Sequence, residues 1–211
     1  MVTIHEIPVT PFQQNCTVWV CDRTGESVVC DCGDAGPVLD FLERRGLTPR
    51  LVVATHGHLD HIGGTAALQR ALGIPFAFPP GDDPLRLGLP EQARWLGLPG
   101  AVEAPEAEVA LREGDRIRFG ESELRVYETP GHTPGHVVFH DAEGARLVAG
   151  DVLFRGSVGR TDLPGGSFEQ LRRSIVEKLY VLPPETVVHC GHGPTTTIGH
   201  EAATNPFVRL G

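Results

Sequence analysis

Residues 55–61 read Thr-His-Gly-His-Leu-Asp-His, directly after the apolar run Leu51-Val52-Val53-Ala54. His56, His58, Asp60 and His61 place four potential metal ligands within six positions. Desolvating imidazoles and a carboxylate together is costly unless the carboxylate is paired or metal-bound. A divalent cation removes the difficulty, because neutral imidazole and ionised carboxylate are good ligands for a borderline metal such as zinc. A solvated loop that happens to be rich in His is the competing reading. The rest of the chain weighs against it by supplying further ligands.

Those ligands stand at three more places, each just after a strand-like run and beside a glycine: His132, Asp151 and His192. Such loops collect at one edge of a sheet, a usual place for a pocket. Five His and two Asp suffice for two metals. We assign His56, His58 and His132 to one ion, and Asp60, His61 and His192 to the other. Asp151, short, anionic and preceded by Gly150, is suited to bridge them. Two such ions about 3.5–4 Å apart share one hydroxide and hold it as a nucleophile near neutral pH.

Around these loops the chain alternates strands and helices. Asn15 to Cys21 and Ser27 to Asp31 read as an antiparallel pair turned at Arg23-Thr24-Gly25. Pro37 to Gly46 reads as a helix, with Pro at its start and Gly at its end. Leu51 to Ala54 is a buried strand, Asp60 to Leu72 a helix, and Pro75 to Phe78 another short strand. Residues 79–109, rich in Pro, Gly, Leu and acidic residues, read as a surface insertion near the site with a short helix over Pro90 to Leu98. In the second half, strands are expected at Leu124 to Glu128, Val137 to Phe139, Arg146 to Ala149 and Thr186 to Cys190. An amphipathic helix is expected over Phe168 to Tyr180. The pattern suits mixed sheets inside and helices outside.

Bulk properties set the outer bounds. The chain has 211 residues and 40% hydrophobic residues, which fits one globular domain. A net charge of −9 argues against nucleic acid as a partner, though not against an anionic small molecule. No apolar stretch reaches the roughly 20 residues that span a bilayer, and the first residues lack the features of a signal peptide. A cytoplasmic protein with no membrane partner is therefore expected, and the oligomeric state is left open. Five Cys without a CxxC spacing exclude a zinc ribbon and argue against a disulfide framework. Cys30-Asp31-Cys32 is the one place where thiols stand close enough in sequence to suggest redox chemistry.

The ordered set His-x-His-x-Asp-His, Gly131-His132, Gly150-Asp151 and Gly191-His192 resembles the metallo-β-lactamase-fold superfamily over nearly the whole chain. The resemblance implies an α/β fold, a four-layer αββα sandwich of two mixed β-sheets flanked by helices, in one domain over residues 1–211. It also agrees with the ligand assignment at all seven positions. Gly150 to Phe154, Val158 to Gly166 and Gly191 to Ile198 are similar to the glyoxalase II-like hydrolases, the hydroxyacylglutathione hydrolases, in their short bacterial form. The chain ends at Gly211, so the C-terminal helical domain with which classical members grip glutathione is not expected.

The resemblance implies a small-molecule thioester substrate, a hydroxyacyl-glutathione such as S-lactoylglutathione. Asp60 and Asp151 are the candidate catalytic residues, Asp60 by orienting the hydroxide proton. A thiolate leaves without a dedicated general acid, since a free thiol has a pKa of about 8.5, and no acid stands out in the motifs. Arg160 is the candidate for holding a substrate anion, with a structural pair to Asp162 as its alternative, and Phe154 the candidate for lining the acyl pocket. Zinc is the expected metal, with iron or a mixed zinc–iron pair as alternatives. The rival reaction is that of the superfamily's persulfide dioxygenases, with a single iron on His56, His132 and Asp151.

Overall fold

The computed structural model describes residues 1–97 and 102–210. The chain packs as two compact units, Met1–Leu111 with Arg118–Ser122, and Arg112–Ile117 with Glu123–Gly211.

The first unit is built on a six-stranded sheet. Its elements are β1 (Val2–Val9), β2 (Gln14–Cys21), β3 (Ser27–Cys30), α1 (Ala35–Arg45), β4 (Pro49–Val53), α2 (Leu59–Ile62), α3 (Thr65–Leu72), β5 (Phe76–Phe78), α4 (Asp83–Leu87), α5 (Leu89–Trp95) and β6 (Val109–Ala110). The strands lie in sequence order, antiparallel from β1 to β3 and parallel from β3 to β6. Val18, Val29, Val52 and Phe76 pack with Val38 and Leu42 of α1 and Leu68 of α3. Each such side chain removed from water is worth about 1.5–3 kcal/mol.

The helix expected from Pro37 begins earlier, at Ala35, because the Asp34 carboxylate accepts the Gly36 amide at 3.0 Å and caps it. The helix expected over Asp60 to Leu72 is two helices. The Gly64 amide donates to the Cys32 carbonyl at 3.0 Å instead of continuing the ladder, and the break falls at Gly63-Gly64. Residues 80–95 are more regular than expected: a 3₁₀ turn over Pro80–Asp82 and then α4 and α5. Leu98, the expected end of the last helix, lies outside the described residues. Strand β1 has no counterpart among the expected elements. Its alternation is blurred, with half-buried polar and apolar residues intermixed.

The second unit carries most of the other six-stranded sheet. Its elements continue as β7 (Arg116–Phe119), β8 (Ser122–Glu128), β9 (Val137–Asp141), β10 (Arg146–Gly150), β11 (Leu153–Phe154), β12 (Ser157–Val158), α6 (Phe168–Ser174), β13 (Val187–Cys190), β14 (Thr196–Thr197) and α7 (Ile198–Thr204). The order is β14-β13-β10-β9-β8-β7, with β10 and β13 parallel and their flanking pairs antiparallel. Leu171, Ile175 and Leu179 pack on Val138, Leu147 and Val188, as their helical spacing requires. The helix does not stay α-helical. The Tyr180 amide donates to the Ile175 carbonyl at 2.9 Å, five residues back, so residues 175–179 form a π turn.

Both sheets are mixed, as expected, and helices accompany each. No helix among the described residues is long and apolar enough to cross a membrane.

Candidate metal-ligand clusters

In the first unit β3 and β4 are parallel, with Cys30 in register with Val53. Asp31 and the segment Ala54–His56 therefore leave the sheet at the same edge, the carboxyl end where α/β folds place ligands. Asp31 sits in the left-handed region, with φ 60°. That conformation costs a non-glycine residue of order 1 kcal/mol and persists only where its surroundings impose it.

The surroundings are visible. Asp31 is 1% exposed, and its carboxylate accepts three hydrogen bonds. The Thr55 amide donates to Oδ1 at 2.7 Å, while the Thr55 hydroxyl and His61 Nδ1 donate to Oδ2 at 2.8 and 3.0 Å. Having spent its only proton on Asp31, Thr55 Oγ1 accepts from His56 Nδ1 at 3.0 Å. One buried carboxylate thus fixes two imidazole tautomers, His61 directly and His56 through a hydroxyl. Both present the Nε2 lone pair outward, the usual way a ligating His is aimed. His56 Nε2 lies 3.0 Å from His58 Nδ1, and His61 Nε2 lies 3.9 Å from Asp60 Oδ2. Neighbouring ligands on a tetrahedral zinc stand about 3.3–3.4 Å apart, from bond lengths of about 2.0–2.1 Å. The ligand-type side chains of residues 56–61 are spaced as ligands are.

In the second unit β10 and β13 are parallel, and Gly150 is in register with Cys190. The Gly191 amide donates to the Gly150 carbonyl at 2.8 Å, so Asp151 and His192 also emerge side by side. A single oxygen, Asp151 Oδ2, lies 3.6 Å from His132 Nε2 and 3.7 Å from His192 Nε2. His132 Nδ1 donates to the Arg160 carbonyl at 2.7 Å, which again turns Nε2 toward Asp151. His136 Nε2 accepts the Asp151 amide at 3.1 Å, so this histidine holds the backbone of a predicted ligand. Gly159 carries the close approach behind both: a Cβ there would stand 1.8 Å from the Asp151 carbonyl oxygen and 3.2 Å from His132 Nδ1. Helix α6 fixes the entry to His132, with the Ser167 amide on the Gly131 carbonyl and Ser174 Oγ on the Pro130 carbonyl, each at 2.7 Å.

All seven ligand positions are thus found in two clusters, four in the first unit and three in the second. The donor set suits divalent cations: imidazoles whose Nδ1 is engaged at His56, His61 and His132, carboxylate oxygens, and ligand-like separations. Phe154, in the β11–β12 hairpin, meets the His192 ring edge-on at 6.2 Å. The Arg160 guanidinium forms a two-pronged exposed pair with Asp162, at 2.8 and 2.7 Å, which holds that carboxyl down to about 2. The same residue's carbonyl serves His132, a role its side chain gave no hint of.

Sequence reading misses Asp31 and Thr55. It groups Asp31 with its flanking thiols, yet burial pushes both Cys30 and Cys32 well up, so neither supplies a thiolate for redox work. All five cysteines are free and buried. The signal is there: a carboxylate at the end of one strand, beside the strand that delivers the His cluster.

The sequence matches the model of the metallo-beta-lactamase superfamily over residues 9–192. It is 36% identical over 208 residues to the hydroxyacylglutathione hydrolase GloC of Haemophilus influenzae, covering 98% of each chain. Among solved structures it is similar to the BLEG-1 B3 metallo-beta-lactamase, with TM-score 0.90, 38% identity and coverage of 98% and 99% of the two chains. It is also similar to TTHA1623, solved in a di-iron-bound form, with TM-score 0.87, 44% identity and coverage of 96% and 99%.

Proposed function

The chain belongs to the metallo-β-lactamase superfamily, a family of metal-dependent enzymes that includes hydrolases, and from that premise we propose that it hydrolyses a thioester, with a hydroxyacyl-glutathione such as S-lactoylglutathione as substrate. In this reading the two clusters act as one centre. His56, His58 and His132 take one ion, Asp60, His61 and His192 take the other, and Asp151 joins them. The observation that supports it is Asp151 Oδ2, whose near-equal separations from His132 and His192, 3.6 and 3.7 Å, would suit a carboxylate shared between the two ions. The full-length likeness to GloC supports the choice of thioester. Bound there, two divalent ions, zinc in the first instance or iron or a zinc–iron pair, would supply a nucleophilic hydroxide near neutral pH and polarise the acyl carbonyl.

The chain's own residues then do the rest. Asp31, directly at His61 and through Thr55 at His56, keeps the two Nδ1 atoms engaged and the Nε2 atoms aimed. Asp60 would accept a hydrogen bond from the attacking hydroxide and so turn its lone pair toward the carbonyl carbon. Expulsion of a thiolate with a pKa of about 8.5 needs no proton donor, which matches a set of loops containing bases and ligands but no evident acid. Phe154 lines the acyl side beside His192, and Arg160 holds the carrier's carboxylate when it exchanges partners with Asp162.

The test combines metal content with three assays on the purified protein. About two ions per chain and thioester cleavage without oxygen uptake uphold the reading. A single iron with oxygen uptake on glutathione persulfide would establish the dioxygenase instead, and opening of a β-lactam ring faster than thioester cleavage would move the substrate class.

A further inference from the structure

Residues 80–95 belong to none of the ligand motifs, yet they grip the first cluster. Gln92, half-buried on α5, uses every polar atom of its amide: Oε1 accepts the Leu59 amide at 3.0 Å, and Nε2 donates to the Gly57 carbonyl at 3.2 Å and the Leu85 carbonyl at 2.9 Å. The buried Asp82 adds Oδ2 as acceptor for the Gly57 amide at 3.0 Å. The backbone groups on either side of His58 are therefore held by two side chains from one insertion. Gly57 seals the contact. A Cβ on it would stand 2.7 Å from Leu85 Cβ and 3.1 Å from the Asp82 carbonyl oxygen, so the loop lies flat against the start of α4.

The consequence concerns His58 in particular among the first cluster's histidines. Asp31 fixes His56 and His61 through their Nδ1 atoms, but His58 turns its own Nδ1 to His56 Nε2, into the cluster and away from that carboxylate. The peptide groups before and after it are the ones that Asp82 and Gln92 hold. We propose that Gln92 is a positioning residue for His58, and that the α4–α5 insertion is the brace that keeps this ligand on its ion. The proposal rests on the reading of His58 as a metal ligand, but not on the identity of the substrate.

The test replaces Gln92 with Met, which keeps the length and volume and removes all three hydrogen bonds, and with Ala. Glu91→Ala, exposed on the same helix, is the control. Amide hydrogen exchange is followed by NMR in the full-length protein stripped of metal, and zinc affinity by competition with a chelator. Gln92→Met should speed exchange at Leu59, whose amide it accepts, at least about tenfold while leaving β3 and β4 protected. It should also weaken one of the two zinc-binding steps by about 10–100-fold, the usual effect of removing a support behind a ligand. Glu91→Ala should change neither. Wild-type exchange at Leu59 and unaltered zinc affinity in Gln92→Met would overturn the proposal. So would general loss of protection in Gln92→Met and Gln92→Ala alike, which would make Gln92 a fold residue. Loss of thioester activity in wild type would sink the substrate reading and leave both of these measurements intact.

Discussion

In the first unit four ligand-type residues come from one loop and are aimed by other side chains, Asp31 and Thr55 behind His56 and His61, Asp82 and Gln92 around His58. In the second, three ligands come from loops as far apart as residues 132 and 192 and are aimed mostly by backbone: the Arg160 carbonyl, the Gly150 carbonyl and the bare Cα of Gly159. The difference teaches where each half is vulnerable. A side-chain scaffold fails by substitution of its donors and acceptors. A backbone scaffold ignores most substitutions and fails where a Cβ is added or where its carboxylate is lost.

That carboxylate is Asp151, and its removal should have the largest effect of any single change. Asp151→Ala takes away the only carboxylate of the second cluster and, on the bridging assignment, a ligand of both ions. Metal analysis should find both lost, and kcat/KM should fall by roughly a thousandfold, about 4 kcal/mol of transition-state stabilisation. Retention of one ion at full strength would show that Asp151 serves a single site and that the two halves are not joined through it.

Asp31→Ala probes the opposite scaffold. It strands the Thr55 amide, the Thr55 hydroxyl and His61 Nδ1 in a buried place, at about 1–3 kcal/mol for each unsatisfied group. Zinc affinity should drop by about 10–100-fold although no ligand has been touched, and Tm should fall with it. If affinity holds, the tautomers of His56 and His61 are fixed by something other than this carboxylate.

The contrast also explains what could be read in advance. Residues 55–61 announce themselves because their ligands are contiguous, and the second cluster because each ligand follows a strand and a glycine. Order and glycine spacing point to the fold as well, since parallel registers such as Cys30 with Val53 and Gly150 with Cys190 are what bring strand ends together. What stays hidden are partners chosen by register and not by neighbourhood. Asp31 is twenty-four residues from Thr55, and Gln92 lies thirty-three from Leu59. A carboxamide in a segment without motifs carries no mark of what it will touch. Arg160 stands out for its guanidinium, while the contact it makes to the cluster is through a carbonyl that any residue would have supplied.

Arg160→Ala separates those two roles and should have a smaller effect. The carbonyl remains, so metal content and affinity should match wild type. The lost pair with Asp162 is exposed and screened by solvent, so stability should hardly change. KM for an anionic thioester should rise several-fold, about 1 kcal/mol, with kcat nearly unchanged. A loss of metal would mean that the pair, and not the peptide plane alone, holds the loop behind His132.

The smallest expected effect lies away from the ligands, at His140 on β9. The residue is 5% exposed, and neither ring nitrogen has a hydrogen-bond partner among the described residues. Burial lowers its pKa from the usual 6.5; Asp141 pulls it the other way, and Arg125, its register partner on β8, pushes it lower. The Tyr127 ring lies 6.0 Å away, with the Arg125 guanidinium over it. With the folded value depressed, the unfolded chain binds the extra proton first as pH falls. The stability that the neutral ring allows is therefore complete above pH 6.5 and is lost as pH drops below that value. Replacing the ring with Leu removes the titration and fills the space with an apolar group. His140→Leu should be at least as stable as wild type at about pH 7, and its urea midpoint should fall less steeply between about pH 7 and pH 5. Changes at the metal ligands are common to both proteins and cancel in the difference. Parallel pH curves would mean that His140 takes up its proton in the folded state as readily as in water.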